Sequence, residues 1–273
     1  MTAPTSLHPL LTIVTFIVLL NNGHNVGTAS GFFYKTPEHS YFVTARHVVQ
    51  DYGARTNKVN ALKLVLHADK TDYTKHADLE IRLQDRTTGA RKYLMSNQPA
   101  LDLIAVPIDD VDLSPYVINW VSESDALPER VSLMPGESVI VPGFPFGVGD
   151  SVYALPLFKS GTVATAYGIP FRGNPEFLID CNLQEGMSGS PVFANQHQLV
   201  VLDAGNSVTM TAPGQYFFLG VHTDTKGSVK GVRNLGVSNV IYAKHLRELI
   251  RTAKLGGMDE SAPKEKKKRP PKK

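Results

Sequence analysis

Three short segments carry side chains able to move a proton or attack a carbonyl. In Phe42-Val43-Thr44-Ala45-Arg46-His47-Val48-Val49 a strand ends in a small residue and delivers His47 at the mouth of a loop. An imidazole placed there can act as general base for a group on another element. In Ala100-Leu101-Asp102-Leu103-Ile104-Ala105-Val106 a single acid precedes an apolar strand. A carboxylate at the edge of a buried strand is costly unless paired, and a histidine N–H is the partner that fixes the imidazole tautomer and stabilises its cation. The third segment is Gln184-Glu185-Gly186-Met187-Ser188-Gly189-Ser190-Pro191-Val192-Phe193. Its glycines let the backbone take conformations that other residues resist, so the N–H groups of Gly186 and Ser188 can converge on a developing oxyanion. Singly, each segment has a plainer reading: a surface histidine, a strand-end turn aspartate, a flexible Gly/Ser loop. The ordered return to a strand at Pro191-Val192-Phe193 speaks against the last, and the first two gain weight from company.

The elements that must position these groups read as strands. Short β-branched and aromatic stretches, separated by Gly, Asn, Asp and Pro, fall at 12–20, 30–35, 41–44, 62–67, 79–83, 92–96, 103–108, 138–141, 161–167, 176–179, 191–193, 198–202 and 216–222. About a dozen strands suit two small closed barrels, which bury their hydrogen-bonding edges by closure. From Asn239 onward Ile241, His245, Leu246, Leu249 and Ile250 lie on one face at helical spacing, ending before Gly256-Gly257. The expectation is an all-β chain of two six-stranded antiparallel barrels with a C-terminal α-helix. The first barrel spans about 10–115, the second about 130–238 and the helix about 239–254, within one unit over 1–257.

Composition bounds the rest. The chain has 273 residues, 42% hydrophobic and 19% charged, which is ordinary for a protein with a buried core. Seven of its 28 basic and three of its 25 acidic residues sit in 258–273, so the body carries 21 against 22 and has no global anion-attracting field. The tail is too polar to bury and reads as disordered, either a solvated end or a tether to an anionic partner. One cysteine, Cys181, forbids an intramolecular disulfide, which suits a reducing compartment. The apolar run 10–20 lacks a preceding Lys or Arg and is too short to span a bilayer. Followed by Asn21-Asn22-Gly23, it fits the first strand of a hairpin better than a targeting signal. A cytoplasmic location is favoured, with secretion left open.

In their order and spacing, 55 residues from His47 to Asp102 and 86 from Asp102 to Ser188, the three segments resemble the trypsin-like serine peptidases of the chymotrypsin fold, particularly the bacterial branches without disulfides. Gly27-Thr28-Ala29-Ser30-Gly31-Phe32-Phe33 and Gly143-Phe144-Pro145-Phe146-Gly147 support the match, which covers about 10–254. The resemblance implies hydrolysis of a protein or peptide substrate by acyl transfer. Ser188 is the nucleophile, His47 the base and Asp102 its orienter, the Gly186 and Ser188 amides form the oxyanion hole, and no metal or cofactor is needed. Met187 replaces the acid that precedes the nucleophile in digestive enzymes, which leaves activation by a newly cut N-terminus unsupported, and Arg46 is expected to point away from His47. The specificity pocket falls to Asn182, Val221, His222 and Thr223. Gly220-Val221-His222 resembles the strand of glutamyl endopeptidases whose histidine binds an acidic side chain, against the plainer reading of a strand-end histidine. The alternative function is a catalytically silent barrel that binds a protein or peptide.

Overall fold

A computed structural model describes residues 8–50, 59–128, 131, 133–195, 200–202, 208–210, 216–225, 228–229, 232–233 and 236–255. The basic tail, the Gly256-Gly257 helix stop and the first residues of the strand expected at 198–202 lie outside them. The first half of the chain supplies β1 (Val14–Asn21), β2 (His24–Lys35), β3 (Ser40–Ala45), the one-turn helix α1 (Arg46–Val49), β4 (Ala61–His67), β5 (His76–Arg82), β6 (Leu94–Met95), β7 (Leu103–Pro107) and β8 (Trp120–Ser122). These make one eight-stranded sheet ordered β5-β4-β1-β2-β3-β7-β6, with β8 added parallel to β2.

The second half supplies β9 (Ser138–Gly143), β10 (Leu157–Val163), β11 (Glu176–Asp180), β12 (Pro191–Asn195), the small hairpin of β13 (Val200–Leu202) and β14 (Val208–Met210), β15 (Tyr216–Thr225), a second small hairpin of β16 (Ser228–Val229) and β17 (Val232–Arg233), β18 (Val237–Tyr242) and α2 (Ala243–Thr252). Six of these strands close a barrel in the order β10-β11-β18-β15-β12-β9. The all-β class and terminal helix are as the residue pattern led us to expect. The first unit differs in detail: it is an eight-stranded sheet, and its path ends at β6, a strand of two residues too short to carry the ladder further.

Local chemistry explains the framework. Asn22 and Gly23 both take positive φ, 51° and 84°, the twist-matched turn that an Asn-Gly pair favours between antiparallel strands. It joins β1 to β2 with Asn21 opposite His24. The helix starts later than the apolar spacing from Asn239 implied. Val237–Tyr242 carries β-branched residues that close the barrel against β11 and β15, and Tyr242 enters the helix from an extended conformation.

Side chains pack into three clusters, one on the first sheet, one inside the closed barrel and one between the two. The last joins Phe32 and Val43 of the sheet to Phe218, Val221 and Ile241 of the barrel, with Leu246 and Leu249 of α2 sealing it. Leu246 is fully buried, so this single side chain contributes about 2 kcal/mol of apolar burial. Among the described residues no helix is long and apolar enough to cross a membrane.

Candidate active site

The pairing of β3 with β7 sets the first half of the site. Ala45 lies opposite Leu103, so the residues just beyond both strand ends face each other, and the Arg46 N–H donates to Asp102 O at 3.2 Å. One turn of α1 then swings His47 over the aspartate. Both Asp102 carboxylate oxygens are used: Oδ1 accepts from the His47 backbone N–H at 2.9 Å and Oδ2 from His47 Nδ1 at 2.7 Å. A carboxylate can only accept, so the neutral imidazole carries its proton on Nδ1 and offers a lone pair at Nε2. Arg46 points away from His47, donating to the carbonyls of Ser96 and Pro99 at 2.9 Å each.

The closed barrel delivers the other half. Beyond the ends of their strand pairing, Gly189 N–H donates to His222 O at 2.8 Å and His222 N–H to Ser190 O at 2.9 Å. This clamps the turn before β12 against β15. Ser188 Oγ stands 3.0 Å from His47 Nε2 and 3.1 Å from Thr223 O. Its one hydroxyl proton thus has two acceptors in reach, the base and a carbonyl. Ser188 O in turn accepts from Ser30 N–H of β2 at 3.1 Å, which ties the serine turn directly to the first sheet.

Gly186 needs to be glycine on two counts. Its φ is +90°, and an added Cβ would lie 2.5 Å from Phe144 O and 2.9 Å from Phe146 N. Among the described residues neither Gly186 N–H nor Ser188 N–H donates to a protein acceptor, whereas the intervening Met187 N–H is taken by Gln184 O at 3.1 Å. Two unspent amides flanking the hydroxyl match what a tetrahedral oxyanion requires.

The electrostatics separate the two histidines. Burial is the largest influence on His47 and works against its cation, but the hydrogen bond to Asp102, the Asp102 charge and the Asp224 charge outweigh it, so its pKa is raised above the usual 6.5. His222 is pushed down to about 4, chiefly by burial, against the pull of its hydrogen bond to Asn239 O, with the His47 charge adding to the depression. Its Nδ1 lies 3.1 Å from Asn239 O, an atom that only accepts, so Nδ1 bears the proton. Burial also raises the Cys181 thiol.

The structure therefore brings His47, Asp102, Ser188 and Gly186 together. Of the pocket residues, His222 and Thr223 sit beside the serine turn, both buried. Asn182 is exposed, with its carbonyl accepting from Gln184 Nε2. Val221 is 0% exposed and belongs to the cluster beneath α2, so packing accounts for its side chain. Met187 is likewise spent on the barrel core. Sequence reasoning assigned no role to Ser30, Phe146 or Asn239, although Ser30 and Phe146 lie in the two glycine-containing segments it singled out. Among the described residues no three His, Cys, Asp or Glu side chains converge on a point that could hold a metal ion.

A mostly β fold with a closed six-stranded barrel beside a second sheet is the architecture of the trypsin-like peptidases. Residues 29–202 match the trypsin-like peptidase domain, and the chain belongs to that family. Among solved structures it is similar to the serine endoprotease from Yersinia pestis, at 15% identity and a TM-score of 0.51. The alignment covers 89% of this chain and 64% of that one, so the chain spans just under two thirds of that protein's length. Deg5 aligns at 16% identity and a TM-score of 0.49, covering 87% of each chain. No curated protein matches the sequence.

Proposed function

We propose that this protein is a serine endopeptidase that cleaves protein or peptide substrates through an acyl-enzyme, with Ser188 as nucleophile, His47 as general base and acid, and Asp102 as its orienter. The observation that carries the reading is the unbroken series from Asp102 Oδ2 through His47 to Ser188 Oγ, at 2.7 and 3.0 Å. The Ser188 hydroxyl gives its proton to Nε2 as Oγ attacks the scissile carbonyl. The imidazolium that forms keeps its Nδ1–H on Asp102, and the carbonyl oxygen, now negative, moves onto the Gly186 and Ser188 amides. His47 returns the proton to the leaving amine, and water repeats the sequence on the acyl group.

For the side chain before the scissile bond, the reading is that it meets His222, with an acidic residue accepted there. What supports this is place: His222 is paired through its backbone with Gly189 and Ser190, and its neighbour Thr223 offers the carbonyl that Ser188 Oγ touches. With Nδ1 given to Asn239 O, Nε2 is the ring atom left for a ligand.

Labelling by a fluorophosphonate tests the mechanism. Wild type should react while Ser188→Ala and His47→Ala do not, and equal labelling of all three would sink it. A silent peptide-binding barrel predicts no labelling of any.

A further inference from the structure

We propose that the buried hydroxyl of Ser30 is a positioning residue that holds the oxyanion hole in its receptive orientation. The inference rests on the peptidase reading and adds to it a residue outside the triad and the hole. Ser30 is 0% exposed and lies on the sheet side of the junction. Its Oγ donates to Gly186 O at 2.8 Å and accepts from Phe144 N–H at 3.1 Å. Its backbone is fixed by two further bonds, N–H to Ser188 O at 3.1 Å and Thr44 Oγ1 to Ser30 O at 2.8 Å. The hydroxyl is thus held in place and both its donor and an acceptor site are used.

The geometry of a trans peptide turns these bonds into control of the hole. C=O and N–H of one peptide unit point in opposite directions, so fixing the oxygen aims the hydrogen. The Glu185–Gly186 unit carries the hole amide, and its oxygen accepts from Phe146 N–H at 2.6 Å, which turns Gly186 N–H the other way. The next unit, Gly186–Met187, is fixed by Ser30 Oγ at Gly186 O. Gly186, at φ +90° and without a Cβ, has no conformational resistance of its own to rotation between these units. Rotation of the Glu185–Gly186 unit would withdraw the amide and present a carbonyl to the substrate oxygen. Ser30 opposes this from two sides: it fixes the adjoining Gly186–Met187 unit at Gly186 O, against which the Glu185–Gly186 unit would have to turn, and through Phe144 N–H it anchors the 144–147 segment that supplies Phe146 N–H to Glu185 O.

Removing the hydroxyl leaves Gly186 O and Phe144 N–H without this partner and the amide poorly aimed. The signature is a loss confined to the tetrahedral state, measured below the melting transitions of both proteins. Ser30→Ala is expected to lower kcat by about 10–100-fold with KM within about 3-fold, because misaligned donors cost rate rather than ground-state binding. A peptide boronate, whose tetrahedral adduct uses the hole, should weaken by the same factor as kcat. The acid limb of the pH profile should stay in place, since His47 and Asp102 are untouched. If Ser30→Ala does not fold, Ser30→Cys, with a weaker donor in the same position, reports the same ratio of boronate affinity to KM. Unchanged kcat and boronate affinity, or equal loss in KM and boronate affinity, overturns the inference alone. Wild-type protein that neither labels nor hydrolyses overturns the peptidase reading and this inference with it.

Discussion

The proposed meeting of His222 with an acidic side chain should depend on pH. The His222 imidazolium is held down to about 4 while that of His47 is raised above 6.5. Wherever His47 is neutral and able to act as base, His222 is therefore neutral too, with its proton on Nδ1 and a lone pair on Nε2. A Glu carboxylate brought to Nε2 sets lone pair against lone pair. The contact becomes favourable only when carboxyl or imidazole takes up a proton. For groups titrating near 4, this uptake at pH 7.5 spans about 3.5 pH units, or about 5 kcal/mol, and the cost falls by about 1.4 kcal/mol for each unit of pH removed. A Gln side chain donates an amide N–H to the same lone pair and takes up no proton.

The assay is a pair of peptides differing only in Glu or Gln before the scissile bond, with kcat/KM measured from pH 8 to 5.5. Protonation of His47 depresses both and cancels in the ratio. The Glu-to-Gln ratio is expected to climb toward about tenfold per unit as pH falls. A ratio flat across that range refutes the reasoning, because it means either that His222 does not meet the side chain or that its proton is not where Asn239 O places it.

Asp102→Asn should lower kcat by about 10⁴-fold with the fold intact by circular dichroism, because the amide does not hold the imidazole in its working tautomer. The acid limb of kcat/KM should lie above pH 6.5, since the base works only when neutral and its folded pKa is raised, so activity is lost as pH falls through that raised value. Asp224→Asn removes one of the charges that raise His47, and the same limb should then move to lower pH in a pH–rate profile. Gly186→Ala, with its Cβ 2.5 Å from Phe144 O, should displace the hole amide and cost about 10²–10³ in kcat, read beside boronate affinity.

The parts of the site legible in the sequence are those whose meaning is local. A glycine-flanked serine followed by a strand, a histidine just past a strand and an acid just before one each carry their geometry with them, and β3–β7 pairing realises it directly. Ser30 is different. Nothing in Thr28-Ala29-Ser30-Gly31 distinguishes a serine that bonds a carbonyl 156 residues away from one that faces solvent, because the bond exists only once sheet and barrel have docked. The same holds for Asn239, whose backbone oxygen sets the His222 tautomer from a neighbouring strand. Misread boundaries have a comparable cause. Val237–Tyr242 and the helix after it form one apolar series whose spacing also fits a single helix, and only closure of the barrel divides it. Trp120–Ser122 is too short to show any alternation.

These non-local bonds also explain why the site lies at a junction and what the junction's packing is for. His47 and Asp102 ride on the first sheet and Ser188 on the barrel, so the 3.0 Å from Nε2 to Oγ measures how the two units sit. Beside the site, Ser30 N–H to Ser188 O is a backbone bond that crosses the gap. The rest of the alignment comes from side chains: Phe32 meets the Phe218 ring edge-on at 5.5 Å, and Leu246 and Leu249 of α2 cover the seam. Close-packed interiors resist small displacements, whereas a proton transfer over 3 Å loses rate when its partners shift by a fraction of that distance. The aromatic seam and the terminal helix thus act on the chemistry through distance alone, without touching a substrate, and loosening them should appear first in kcat.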